Sequence, residues 1–157
     1  MTTNSKHELP VAKNILKQNF SASEPNQKWV LDFAYLWTQE GWLHLATVID
    51  LYSRMIVGWA MSERMKADLV GNAIIMALTK NGLICSMRGT GNCYDNASAE
   101  SFFRSLKVEA IYGERFEMRE KMRPVVFEYN EVDYNRTRRH STNGQISPVA
   151  FEAKQVA

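Results

Sequence analysis

Apolar and polar positions alternate along WVLDFAYL, residues 29–36. Val30, Asp32, Ala34 and Leu36 fall on one side and Trp29, Leu31, Phe33 and Tyr35 on the other, the two-residue period of a strand. TQEG at 38–41 supplies a turn, WLHLATVIDLYS resumes the strand pattern, and RMIVGWAM at 54–61 predicts a third strand after a second tight turn. The period then lengthens. In KADLVGNAIIMALTK, 66–80, Leu69, Val70, Ala73, Ile74, Ala77 and Leu78 share one helical face, and Asn81 with Gly82 stops the helix. LICSM at 83–87 predicts a short buried strand, followed by the loop RGTGNCYDN. Asp95 and Asn96 are good N-caps, and Ala99, Phe102, Phe103, Leu106 and Ala110 recur at spacings of three and four, which predicts a second helix. EMREKMRPVVFEYNEVDYN is helical by pattern but carries Pro124, so a kink or two helices are expected there. RTRRHSTNGQ reads as a basic loop, and Ser147 before Pro148 caps a short final helix.

Three strands in hairpin order, a helix, a strand and a helix make an α/β domain with an α+β type of mixed sheet. Residues 1–28, with Pro10, Pro25 and many Ser, Asn, Lys and Gln residues, predict an N-terminal arm with little core of its own. Residues 29–113 carry the sheet and its helices, and 114–157 form a helical extension of the same domain. At 157 residues with 45% hydrophobic content, the chain can bury one real core but not two.

Charge changes this picture little. A formal net charge of +2 permits nucleic acid as a partner without demanding it. Cys85 and Cys93 lack a CxxC pair or a histidine cluster, so neither a disulfide framework nor a zinc site is indicated. The start MTTNSKHELPVAKN lacks the apolar core of a signal peptide and no apolar stretch reaches membrane-spanning length, so a cytoplasmic protein without a membrane partner is expected.

Two acids stand out. Glu100 begins the second predicted helix one turn before Arg104, and the plainest reading is an exposed helix ion pair. Asp32 sits mid-strand among apolar neighbours, which is costly unless a partner such as a metal ion pairs with it or the position opens to water at a sheet edge. Periodicity does not choose between these readings.

The stretches WVLDFAYL, EGWLHLATVIDLYSRMIVGWAMSERM, GNCYDNASAESFFRSLKVEAIYGERF and YNRTRRHSTNGQISPVAFE resemble the integrase-core domain of bacterial insertion-sequence transposases, in the orfB-type subgroup related to retroviral integrases. The resemblance runs from about Leu9 to the C-terminus. It implies an RNase H-like fold with two divalent ions, Mg²⁺ or Mn²⁺, on an Asp, Asp, Glu triad that supports in-line attack on DNA phosphate. The first acid maps onto Asp32 and the third onto Glu100, as catalytic residues and metal ligands. Tyr94, Asp95 and Asn96 match the family's characteristic tripeptide. Tyr94, Asn96, Arg104 and Lys107 are then the expected DNA contacts, joined by the cluster Arg136, Arg138 and Arg139. The implied partners are element ends and target DNA, with a further copy of the chain or an intact transposase, in the bacterial cytoplasm at the nucleoid.

The resemblance fails at one point. The family's second aspartate lies in a segment resembling His-Ser-Asp-Arg-Gly between the first helix and the strand LICSM, and here Thr79 and Lys80 run directly into Asn81 and Gly82. A strand with its crossover helix takes roughly 30 residues, so a whole unit is expected to be missing. Asp50 and Asp95 are the available substitutes, but Asp50 suits a cap for the turn DLYSR and Asp95 a cap for its helix. Leu31 and Ala34 also stand where the family usually has threonines, Lys66 where it has a capping threonine, and Pro124 interrupts a helix the family usually continues. The chain further begins after the point where longer members carry an upstream helical DNA-binding region. The expectation is a transposase core with impaired catalysis. Its alternatives are a non-catalytic remnant that binds DNA or inhibits intact transposase, and an unselected fragment.

Overall fold

The alternation along the first strands becomes a sheet with two different faces. In the computed structural model, which describes residues 19–81 and 97–155, β1 (Trp29–Thr38), β2 (Gly41–Asp50) and β3 (Ile56–Ser62) form an antiparallel sheet in the order β1-β2-β3. The β1–β2 register runs from Trp29 opposite Asp50 to Thr38 opposite Gly41, and the β2–β3 register is irregular between Val48 and Ile49. The helices are α1 (Ala67–Lys80), α2 (Ala97–Leu106), α3 (Arg119–Glu128) and α4 (Pro148–Gln155). Both α2 and α3 run on into wider π-type turns, over Lys107–Ile111 and Tyr129–Thr137.

Each sheet face has its own core. Val30, Ala34, Leu36, Leu43, Leu45 and Ile49 pack against Ala99, Phe102, Phe103 and Leu106 of α2 and against Met122, Val126 and Tyr129 from the α3 segment. On the other face Ala46, Val48 and Val57 meet Leu69, Ala73 and Ala77 of α1, with Trp29, Leu31 and Phe33 at the margin. The sequence pattern thus carried over to α2 in full. On α1 it narrowed, because Leu78 is 42% exposed at the helix end.

Two other expectations are corrected. Of the kink or division expected at Pro124, the division does not occur, and α3 passes through Pro124 to Glu128 and onward. Pro124 lies in the second turn, so its missing N–H leaves only the carbonyl of Glu120, in the first turn, without its helical donor. The third strand begins at Ile56 rather than Arg54, because Arg54 takes a left-handed φ of 65° in the turn. The cap predicted at Ser147 is present, its Oγ accepting the Ala150 N–H at 3.3 Å. LICSM, Cys85, Cys93, the loop before α2 and most of the N-terminal arm lie outside the described residues.

The C-terminal third is fastened to the sheet by buried amides. Asn135 Oδ1 accepts the Ile56 N–H and its Nδ2 donates to the Ile56 carbonyl, both at 2.9 Å, which closes the outer edge of β3. Asn143 Nδ2 donates to the Ser53 carbonyl at 2.7 Å. Asn130 is different: it is fully buried, and neither amide atom meets a hydrogen-bond partner among the described residues. A buried amide without partners costs about 1–3 kcal/mol. Asn130→Leu, of similar volume, is therefore expected to raise stability by about 1 kcal/mol or more, seen as a higher urea midpoint at unchanged slope. A lower midpoint would show that the amide is satisfied.

Candidate functional site

Asp32 projects from the face of β1 that carries Val30, Ala34 and Leu36, the face covered by α2. It is half-buried, and its cross-strand neighbour is Thr47, whose buried hydroxyl has no hydrogen-bond partner among the described residues. Glu100 stands in the first turn of α2, exposed, on the flank beside the buried stripe. The sheet therefore brings the two sequence-predicted acids to one side of the molecule. The start of α2 is tied to the β2–β3 turn by the Arg54 guanidinium, which donates to Ser98 Oγ two residues before Glu100.

The expected pair between Glu100 and Arg104 does not form among the described residues. Both side chains are exposed, where an ion pair gains little over hydration and costs side-chain freedom. Asp50 is engaged in its own turn. It is fully buried, and its carboxylate accepts the Ser53 N–H at 3.3 Å, the Ser53 hydroxyl at 3.1 Å and the Asn26 N–H at 3.3 Å. Burial pushes its pKa up, and the hydrogen bonds from the turn pull it back in part. Its lone pairs are thus spent on the turn, as the sequence suggested. Among the described residues no three His, Cys, Asp or Glu side chains gather where they could hold a metal ion. Asp32 and Glu100 supply fewer hard oxygen donors than a pair of divalent ions requires, so the described residues by themselves do not fit a two-ion site. Tyr94, Asp95 and Asn96 lie outside the described residues.

The cations separate into two kinds. Arg104 is exposed on α2 and Lys107 half-exposed just beyond it, on the same flank as Glu100, and Arg136 and Arg139 are exposed at the end of the α3 segment. Arg138 is instead turned inward to Glu109, whose other oxygen accepts the Tyr129 hydroxyl at 2.8 Å. Burial, then the Glu109 carboxylate, raises the Tyr129 pKa, and burial lifts Tyr134 to about 12. The His140 ring meets Tyr134 edge to face at 4.7 Å, and burial followed by the Arg138 charge holds its pKa below the usual histidine value. The basic loop is consequently anchored, with His140 bridged to Ile146 and Asn143 buried, while Arg136 and Arg139 stay exposed.

Sequence reasoning singled out neither Arg54 and Ser98, which orient α2, nor Asn135 and Asn143, which fasten the C-terminal third. The asparagines lie inside YNRTRRHSTNG, and Asn135 next to Tyr134, an uncharged amide in an otherwise basic stretch, was the available signal.

Comparison with known proteins accords with this arrangement. The integrase core domain model matches residues 22–114, and a second model of the same description matches residues 100–156. The transposase InsF for insertion sequence IS3A of Escherichia coli (strain K12) is 50% identical over 179 residues, covering 96% of this chain and 62% of that protein. The insertion element IS600 uncharacterized 31 kDa protein of Shigella sonnei is 45% identical over 181 residues, covering 98% of this chain and 66% of that protein. The chain spans about 62% of the length of the InsF relatives. As 96% of 157 residues is about 151, about 28 of the 179 aligned positions have no counterpart here. That deficit is the size of a strand with its crossover helix.

Proposed function

The chain belongs to the integrase-core family that includes bacterial insertion-sequence transposases, and on that premise we propose that it is a transposase core that engages element DNA while its strand-transfer chemistry is impaired. The observation that carries this reading is the pair Asp32 and Glu100 on one side of the sheet without a third acid beside them among the described residues. Integrase cores in general depend on divalent metal, and phosphoryl transfer with two ions needs ligands that grip both the attacking and the leaving oxygen. The run from Thr79 and Lys80 directly into Asn81 and Gly82, and a deficit of about 28 aligned positions against the relatives, support the loss of the unit expected to carry the second aspartate.

What remains suits binding. Arg104 and Lys107 follow Glu100 along one flank of α2, a rigid helix seated on the sheet, where cations meet phosphates with little loss of side-chain order. Arg136 and Arg139 extend the basic surface, and Arg138 acts from within by holding Glu109.

Labelled element-end duplex incubated with the protein in Mg²⁺, in Mn²⁺ and in EDTA tests this. The expected result is retarded migration in all three and no nicking in any. Arg104→Gln with Lys107→Gln is expected to lower the dependence of log affinity on log salt by about one for each phosphate contact removed. Metal-dependent nicking that disappears in Glu100→Gln would overturn the reading, and so would an unchanged salt slope in the double variant.

A further inference from the structure

On the α1 side of the sheet, the side of β1 that carries Trp29, Leu31 and Phe33 continues toward the hairpin tip with rings that stay about half exposed. Tyr35, Trp37 and Trp42 are 51%, 57% and 48% exposed, whereas Trp29, Phe33 and Trp59 pack against the two cores. The register sets Trp37 opposite Trp42 and Tyr35 opposite His44. The rings meet edge to face, with centroids 4.8 Å apart for Trp37 and Trp42, 5.1 Å for Tyr35 and His44 and 6.2 Å for Tyr35 and Trp42. Edge-to-face contact covers little of each ring, so the cluster keeps π faces open for another flat partner.

The platform is clamped from behind. The Gln39 and Glu40 N–H groups donate to the carbonyls of Phe116 and Glu117 at 2.9 and 3.1 Å. Arg119 Nε donates to the Trp42 carbonyl at 3.0 Å, and its guanidinium lies 3.3 Å from the Glu40 carboxylate. Gly41 makes this possible, since its φ is +127° and a Cβ there would stand 2.8 Å from Arg119 Nη2. Rings fixed on a held hairpin have little conformational freedom to lose on binding.

Beside the rings, His44 Nδ1 lies 3.3 Å from the Ser62 carbonyl, and the chain then passes through Glu63, Arg64, Met65 and Lys66, all exposed. Glu40 and Glu63 both face Arg119, at 3.3 and 3.7 Å, while Arg64 and Lys66 form no ion pair among the described residues. Glu117, behind the hairpin, is paired with Lys121 at 2.9 Å, and Asp68 sits in the first turn of α1, where the helix dipole favours it. Rings flanked by cations suit a strand whose bases are unpaired: the bases stack and the phosphates meet the charges. A second copy of this surface would suit it less, because a two-fold contact buries the same patch from both sides and so gathers two sets of the cations Arg64 and Lys66 into one interface.

The geometry points to a base-stacking site for single-stranded DNA on Tyr35, Trp37 and Trp42, with Arg64 and Lys66 as its phosphate contacts, distinct from the α2 surface. Titrating the full chain with fluorescein-labelled oligo-dT of about 15 nucleotides is expected to raise anisotropy and quench tryptophan emission. Trp37→Ala with Trp42→Ala should weaken oligo-dT binding by about tenfold or more while leaving the melting curve and duplex affinity unchanged. Arg64→Gln with Lys66→Gln should flatten the salt dependence of oligo-dT binding. Unchanged oligo-dT affinity in the tryptophan double variant overturns the site. So does a dimer in sedimentation that the same variant converts to monomer, since the rings then serve a contact between copies. Loss of duplex binding with oligo-dT binding intact would remove the proposed function and leave this site standing.

Discussion

Gly58→Ala is expected to melt about 10 °C below the parent protein, while Gly71→Ala melts at the same temperature or slightly above it. Gly58 lies buried in the middle of β3, under α1. A Cβ there would stand 2.2 Å from the carbonyl oxygen of Ala73 and 2.8 Å from both the nitrogen and the Cβ of Ala77. Two of these three contacts are helix backbone, so no rotamer change relieves them. Either α1 lifts away from Ala46, Val48 and Val57 or the strand bends, and both options open a core that now holds Leu69, Ala73 and Ala77. Overpacking costs about 1–3 kcal/mol when side chains can yield, and a clash with backbone belongs at or above the top of that range. For a domain of this size each kcal/mol is about 2–4 °C in Tm. Gly71, in α1 itself, has nothing within 4 Å of the same added atom, so the substitution there only improves helix propensity, by up to about 1 kcal/mol. Thermal melting by circular dichroism reads both. A Gly58→Ala protein within about 2 °C of the parent would mean that α1 does not sit this close to β3.

Asn135→Ala is expected to cost about 2–4 kcal/mol, as a matching fall in the urea unfolding free energy. Asn135 is 5% exposed and uses both ends of its amide on one residue, Ile56, itself 1% exposed. The amide therefore acts as a one-residue strand partner at the edge of β3. Truncation leaves a buried N–H and a buried C=O unpaired, each costing about 1–2 kcal/mol, as well as the space the side chain filled. Asn135→Asp separates the two bonds, because a carboxylate accepts the N–H but repels the Ile56 carbonyl. It should be destabilised as well, with a deficit that shrinks as pH falls and the acid becomes able to donate. Equal stability of wild type and Asn135→Ala would show that this amide adds nothing to the seating of the C-terminal third on β3.

Much of the fold was legible along the chain. The alternation at 29–36 named the inward residues of β1, and the three-and-four spacing after Ala97 named Ala99, Phe102, Phe103 and Leu106, all buried. The misreadings share a cause. Pro124 was weighed by its local rule, yet it stands early enough in α3 for the helix to run on past it. Glu100 and Arg104 have the spacing of a pair, yet solvent satisfies each separately. The anchoring of the basic loop after Tyr134 was missed because its charges are visible in sequence, whereas the groups that anchor it, Glu109, Ile56 and Ser53, are distant along the chain.

The candidate site divides the same way. Residue types made Asp32 and Glu100 stand out, the resemblance to integrase cores implied their role and a missing unit between α1 and α2, and the aligned relatives carry about 28 positions that this chain lacks. Only the tertiary structure decided that both acids lie on one side of the sheet, that Arg138 serves Glu109, and that Tyr35, Trp37 and Trp42 stand half exposed on a clamped hairpin. Backbone periodicity is a local property, set by 3.6 or 2 residues per repeat and readable within one segment. Which side chain is covered, and by what, depends on segments dozens of residues apart meeting across a sheet, and pattern within any one of them carries no record of that.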